Sequence, residues 1–89
     1  MPKIIYKYSI AKFGITPVLM PKNSEILTAK MQSEHLCIWA IIDTEQEMVE
    51  RKLFCYGTGH PIPDSVTKEN HIGTVMDDGM VWHVFENIT

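Results

Sequence analysis

Hydrophobic and polar residues alternate along much of the chain, and this period of two predicts β-strands. Across Lys3–Ile10 the apolar and aromatic side chains fall mainly at every second position, which is typical of a half-buried strand. The same alternation runs through Glu25–Gln32, where Leu27, Ala29 and Met31 are expected to share the inner face. The pattern therefore favours sheet over helix.

The most apolar run of the chain, residues 36–42, has hydrophobic side chains on both of its faces. A buried helix is the competing interpretation, but the run is short, rich in β-branched and aromatic residues, and bounded by polar residues. We therefore predict a central strand that is covered on both sides. Trp39 and Ile41, or their alternates Ile38 and Ala40, are expected at the centre of the core.

Turn-forming residues divide the rest of the chain into short segments. Pro17 cannot donate a hydrogen bond to a neighbouring strand, so residues 16–20 are expected to form an edge strand. The Asp78-Gly79 pair between two apolar runs predicts a two-residue hairpin turn. One helical turn is expected within residues 64–70, and another within the acidic connection formed by residues 43–50.

These segments predict six or seven strands in a single domain that spans residues 1–89. We expect a mainly β fold, either an antiparallel sandwich or an open barrel, with an α+β arrangement containing one short helix as the alternative. A chain of this length buries only about two-thirds of its unfolded surface. Because the core is thin, self-association into a homo-oligomer is also expected.

The charge of the chain limits its partners. The formal net charge is −3, and the eight Lys and Arg residues are spread along the sequence, which argues against a nucleic-acid polymer or an anionic membrane as the partner. The sequence shows no apolar signal core and no run long enough to cross a bilayer, so we expect a cytoplasmic protein. Cys37 and Cys55 lie in apolar runs and are expected to be buried, reduced thiols, with a disulfide between them as the alternative.

The most distinctive segment is residues 56–63, which places two glycines and two prolines in one loop. Backbone N–H groups in such a loop can hold an anion, and the flanking phenol can stack on a nucleobase. The predicted ligand-binding residues are Tyr56, Gly57, Thr58, Gly59 and His60. The alternative is a turn whose shape alone matters, because an isolated pair of glycines is a weak signal.

Signals for catalysis and metal binding are weak. The four histidines and two cysteines do not show the spacing of zinc ligands, and no paired catalytic constellation is recognisable. We therefore expect no catalytic residue, no metal and no cofactor. His83, which lies between Trp82 and Val84 in the last apolar run, is expected to be a hydrogen-bonded structural histidine.

Several segments together resemble a family of small, uncharacterised proteins encoded by bacteriophages and prophages. The segments are the opening Ile-Tyr-Lys-Tyr strand at residues 5–8 and residues 20–27, 36–43, 56–63, 71–75 and 81–86. The Tyr-Gly-Thr-Gly-His-Pro-Ile-Pro loop is the most specific of them. Family members usually have glycine where this chain has Asn23, which also accepts turn geometry. The resemblance implies a phage origin and an accessory role inside the host cell, and it carries no catalytic assignment.

These observations lead to three functional hypotheses. The first is a non-enzymatic counter-defence protein that binds and sequesters a small nucleotide signal of bacterial immunity. The second is a protein-interaction module that inhibits a host enzyme. The third, an enzyme that degrades such a nucleotide, has the least support because the sequence lacks a catalytic constellation.

Overall fold

The computed structural model describes residues 2–87 and shows two packed antiparallel sheets. The strands are β1 (Lys3–Ile10), β2 (Gly14–Pro21), β3 (Glu25–Gln32), β4 (His35–Asp43), β5 (Met48–Gly57), β6 (His71–Asp77) and β7 (Met80–Glu86). One sheet has the order β1-β4-β3, and the other has the order β2-β5-β7-β6. The predicted mainly β sandwich is confirmed. A 3-10 turn at Lys68–Asn70 lies in the segment expected to hold a helical turn.

The β6–β7 hairpin forms as the Asp78-Gly79 signal predicts. Asp77 pairs directly with Met80, so the turn contains two residues. Their φ angles are 48° for Asp78 and 86° for Gly79. Positive φ at both central positions is the mark of a type I′ turn, whose twist matches that of the flanking strands. This turn fixes the register of the whole hairpin.

The acidic connection between β4 and β5 is shorter than expected. Asp43 organises a tight turn, because its carbonyl accepts the Gln46 N–H at 3.1 Å and its carboxylate accepts the Glu45 N–H at 3.0 Å. β5 then starts at Met48 and pairs with β2. The prediction of a helical turn within residues 43–50 is therefore wrong, because strand pairing takes the second half of that segment.

The core lies between the inner faces of the two sheets. Ile38 and Ala40 are completely buried at 0% exposure, whereas Trp39 and Ile41 point to the other side of β4 and are partly exposed. Ile38 and Ala40, the alternates to Trp39 and Ile41, are therefore the central pair of the core. Trp39 lies opposite Lys7 of β1 in the strand register, on the outer face of its sheet.

A bulge in β3 changes which of its residues face inward. The register with β4 shifts between Ile26 and Thr28, so Leu27 falls on the bulge and is 48% exposed. Ile26, Ala29 and Met31 pack on the core in its place. The expectation for Leu27 is wrong because simple alternation cannot anticipate a one-residue insertion in the ladder.

An ion pair closes one end of the sandwich. The Arg51 guanidinium of β5 donates two hydrogen bonds to the Glu86 carboxylate of β7, one of them from Nη2 at 2.9 Å. Its Nη1 also donates to the Ser24 carbonyl at 2.8 Å. This bond holds the β2–β3 turn, which connects the two sheets, against β5. The pKa of Arg51 is raised above its ordinary value by the hydrogen bond to Glu86.

The strand edges and the thiols follow the sequence predictions. β2, which carries Pro17, is an edge strand of the four-stranded sheet, as predicted. Cys37 and Cys55 are both buried, in different sheets. No helix within residues 2–87 has the length and apolar content needed to cross a membrane.

Candidate functional site

Strand alternation divides the predicted ligand site into two halves. Near the end of β5, Gly57 lies opposite Trp82 on the inner side of the sheet, while Tyr56 lies opposite His83 on the outer side. Thr58 reaches the outer side as well, because its hydroxyl contacts His83. The five predicted residues are therefore adjacent in sequence but divided between the inner and outer sides of the sheet.

The inner half of the loop is a packed turn. The Gly57 N–H donates to His60 Nδ1 at 3.2 Å, and the His60 N–H donates to the Gly57 carbonyl at 3.1 Å. The His60 ring meets Phe13 edge to face, with 5.3 Å between ring centroids. A Cβ on Gly57 would lie only 2.8 Å from His60 Cε1, so glycine is needed there for the ring to fit.

The backbone N–H groups expected to hold an anion are largely occupied. Gly57 donates to His60, and the Thr58 N–H donates to the Val81 carbonyl at 3.2 Å. Gly59 has a φ of 90°, which lets the chain turn where a side chain would be strained. The expectation that the Gly57 and Thr58 amides cradle a phosphate is therefore wrong, because these amides are used by the fold.

We expect His60→Ala to lower the free energy of unfolding by about 2 kcal/mol, because it leaves the N–H of buried Gly57 without an acceptor. His60→Asn is the matched control, since its side-chain oxygen lies close to the position of Nδ1 and should recover about half of that loss. Urea denaturation followed by tryptophan fluorescence measures both. Equal losses for the two variants would contradict this role for the hydrogen bond.

The outer half of the loop joins a chain of hydrogen-bonded side chains on the four-stranded sheet. The Thr58 hydroxyl lies 2.7 Å from His83 Nε2. His83 Nδ1 lies 3.0 Å from the Thr74 hydroxyl, which in turn lies 3.0 Å from His71 Nε2. We call these four residues the His–Thr chain. The expectation that His83 is hydrogen-bonded is confirmed, and its partners lie on the surface.

The hydrogen-bond pattern of the His–Thr chain depends on protonation. With both imidazoles neutral, the three hydrogen bonds can all run from Thr58 toward His71 or all in the opposite direction, as the tautomers decide. With both imidazoles protonated, every ring nitrogen in the chain becomes a donor, so the two threonine oxygens accept and their own O–H groups are free to turn outward. The chain can then offer two positive charges and two hydroxyl donors to an anion.

Aromatic rings and a shallow groove lie beside the His–Thr chain. The Tyr56 and Phe85 ring centroids are 6.0 Å apart, and Phe85 meets the His71 ring edge to face at 5.2 Å. Burial raises the pKa of the Tyr56 hydroxyl, so this group stays a neutral donor. The groove has a volume of about 300 Å³, and it is lined by Ile62, Val66, Thr67, Lys68, His71 and Phe85. His71 belongs to both the groove and the chain.

The sequence predictions missed His71 and Thr74, and one signal could have found Thr74. A two-residue turn at Asp78-Gly79 makes Asp77 and Met80 partners. Counting back along both strands then places Thr74 opposite His83, as observed. The same count does not find His71, because the strand register shifts between His71 and Gly73.

A larger groove beside the Arg51–Glu86 ion pair is less suited to an anion. Its volume is about 670 Å³, and Arg51 and Glu86 form part of its wall. The positive charge of Arg51 is already paired with Glu86. Lys22 at its rim faces Glu47 at 3.9 Å. Its cations are therefore partly neutralised within the protein.

The Cys55 thiol is not activated, and the described residues do not present a metal cluster. Burial raises the pKa of the Cys55 thiol to about 11, so this group is protonated at neutral pH and is a poor nucleophile. Within residues 2–87, no group of three or more His, Cys, Asp or Glu side chains is placed to hold a metal ion.

The fold and the surface chain define a small antiparallel β sandwich with a polar and aromatic face. The sequence matches the family described as domain of unknown function (DUF7352) over residues 1–89, and the chain belongs to that family. Comparison with curated proteins found no match. Comparison with solved structures also found none.

Proposed function

We propose that this protein binds a small nucleotide on the outer face of its four-stranded sheet and does not alter it chemically. The base would lie in the groove beside Phe85, and a phosphate would lie against the His–Thr chain. Of the residues predicted from the sequence, Tyr56 and Thr58 belong to this site. Gly57 is buried beneath it, and His60 holds the Gly57 N–H from the loop surface.

The observation that carries the proposal is the position of His71. Its ring contacts Phe85, its Nε2 contacts Thr74, and it lines the apolar groove. A nucleotide needs an apolar surface for its base directly beside donors for its phosphate. Lys68 at the rim of the groove adds a positive charge on the same side.

The biological role proposed here follows from the resemblance to phage-encoded proteins. A phage protein that holds a nucleotide signal in the host cytoplasm would lower the free concentration of that signal. Bacterial immune systems use such signals, so sequestration would act as counter-defence. This role needs no catalytic group, and it is compatible with a thiol that stays protonated at neutral pH.

Isothermal titration calorimetry with AMP, GMP, cyclic di-AMP, cyclic di-GMP and cyclic GMP-AMP tests the proposal. We expect at least one of them to bind with a dissociation constant in the micromolar range or tighter. Thr74→Val, which keeps the shape but removes the hydroxyl that joins the two imidazoles, should weaken that binding at least tenfold, or about 1.4 kcal/mol. Recovery of intact nucleotide after heat denaturation would separate sequestration from degradation.

Thr28→Val is the matched control, because Thr28 lies in the other sheet opposite Trp39. It should bind like the wild type. The proposal is wrong if no nucleotide of the panel releases or absorbs heat at about 100 μM protein, or if Thr28→Val and Thr74→Val bind equally well.

A second candidate function is a protein-interaction module, and a separate observation favours it. Ile15 and Leu19 of β2 are 59% and 61% exposed on the same outer face as Phe54. An apolar sheet face of this kind can dock on a protein partner. In that case Ile15→Lys should abolish inhibition of the partner enzyme, whereas Thr74→Val should leave it unchanged.

A further inference from the structure

The sandwich has four edge strands, and three of them are protected. β3 and β6 lie against each other, because a Cβ on Gly73 would be 3.5 Å from the Ala29 backbone nitrogen. β2 carries Pro17, which has no N–H to offer to a further strand. The remaining edge is β1, which pairs only with β4 within the part of the chain that the structure describes.

β1 has the properties of a strand that accepts another strand. It is eight residues long, or about 27 Å. Ile4, Ile5 and Tyr6 are 45%, 62% and 52% exposed, so apolar surface is open on both of its faces. An edge of this kind presents unpaired backbone N–H and C=O groups to any strand that approaches.

Lysines often protect such an edge, but Lys7 of β1 is drawn away from it. The Lys7 ammonium donates to the Gln32 side-chain oxygen, which belongs to β3 on the far side of β4. Lys3 lies opposite Asp43 of β4 in the strand register. The Lys7 charge is therefore directed across its own sheet rather than toward a neighbouring strand, and Lys3 lies at the end of the edge.

We infer that β1 pairs with β1 of a second copy of this chain, antiparallel and centred on Tyr6. In this register Tyr6 lies opposite Tyr6 of the second copy, and Ile4 lies opposite Tyr8. Ile5 lies opposite Lys7, whose aliphatic stem can cover it. The two three-stranded sheets then join into one continuous sheet of six strands.

Charge and side-chain direction select this register from its neighbours. A register centred on Ile5 places Lys3 directly opposite Lys7, and one centred on Lys7 places two copies of that lysine opposite each other. Like charges in direct cross-strand pairs are destabilising. A shift of one residue turns the second copy over and sets Ile4 beside Lys7. Among the registers that keep the same face of both copies on the same side, the one centred on Tyr6 has the longest overlap without a pair of lysines.

The inference goes beyond the proposed function and does not depend on it, because β1 and the His–Thr chain lie in different sheets. Pairing leaves the outer face of the four-stranded sheet open in both copies. It also covers the inner-facing side chains near the start of β1, where the sandwich is less tightly closed. Ile4 and Tyr6 face the same side as buried Ile42 and Ala40, yet both remain exposed in one copy.

Light scattering and cysteine cross-linking together test the register. Wild-type protein should show about twice the chain mass of 10.2 kDa at about 100 μM. Tyr6→Cys should form a disulfide-linked dimer under mild oxidation, because the two Cα atoms of a direct antiparallel pair lie about 4.5–5.5 Å apart. Ile15→Cys, exposed on β2, is the matched control and should cross-link at least tenfold more slowly.

Tyr6→Lys provides a second test of the β1–β1 pairing. It places two like charges opposite each other at the centre of the paired strands, so the protein should become a monomer. Circular dichroism would confirm that this variant keeps its β spectrum. The inference is overturned if the wild type has the mass of one chain at about 100 μM. It is also overturned if Tyr6→Cys cross-links no faster than Ile15→Cys.

Discussion

Ile38→Ala should lower the free energy of unfolding by about 3–4 kcal/mol, whereas Trp39→Ala should cost only about 2 kcal/mol. The smaller side chain carries the larger effect because it is fully buried. Ile38 lies in the core cluster with Leu36, Leu53 and Val84, and its removal leaves a cavity between the two sheets. Trp39 lies on the outer face of its sheet and is partly exposed.

Urea denaturation monitored by far-ultraviolet circular dichroism compares the two variants without relying on the fluorescence of the replaced tryptophan. Ile38→Val serves as the matched control, and it should cost about 1 kcal/mol. A greater loss for Trp39→Ala than for Ile38→Ala would show that the inner face of β4 has been assigned to the wrong set of side chains.

Arg51→Ala should cost about 2–3 kcal/mol, the second-largest effect we expect. The change leaves the Glu86 carboxylate without its partner at a partly buried site, and it removes the donor to the Ser24 carbonyl. Breaking one side of a buried ion pair typically costs about 3–5 kcal/mol. We expect less because both side chains keep some contact with solvent.

The double variant Arg51→Met with Glu86→Leu is the matched control for this pair. Replacing both partners by apolar side chains removes the uncompensated charge, so the double variant should be within about 1 kcal/mol of the wild type. The same denaturation assay measures both proteins. If the double variant loses as much stability as Arg51→Ala, the loss comes from packing of the arginine side chain rather than from the unpaired carboxylate.

The sequence determines most of the fold because its signals are local. Alternation and turn residues locate β1 and β3 at their observed ends, and Asp78-Gly79 locates the last hairpin. What alternation cannot specify is a bulge, which is why Leu27 was placed on the wrong face. It also cannot decide which side of an entirely apolar strand faces the core. The packing of the second sheet buries Ile38 and leaves Trp39 on the outer face.

The candidate site was only partly predictable for a similar reason. The loop that contains Thr58 stands out in the sequence, but strand alternation sends Gly57 to the inner side and Thr58 to the outer side. The partners of Thr58 come from β6 and β7, which are distant in sequence. Thr74 becomes a neighbour of His83 through the hairpin register, and a register shift between His71 and Gly73 places His71 opposite Phe85. Long-range pairing therefore builds the site, and the loop contributes one end of it.

The most direct test of nucleotide binding is a nuclear magnetic resonance titration that observes the imidazole nitrogens and the backbone amides. Cyclic di-AMP, cyclic di-GMP and AMP are added in turn to uniformly ¹⁵N-labelled protein at pH 7. The account predicts that at least one nucleotide changes the ring-nitrogen resonances of His71 and His83 and perturbs the amide of Thr74. It also predicts that His35, at the start of β4 in the other sheet, stays unchanged. Perturbations confined to other surfaces, or none with any of the three nucleotides, would contradict it.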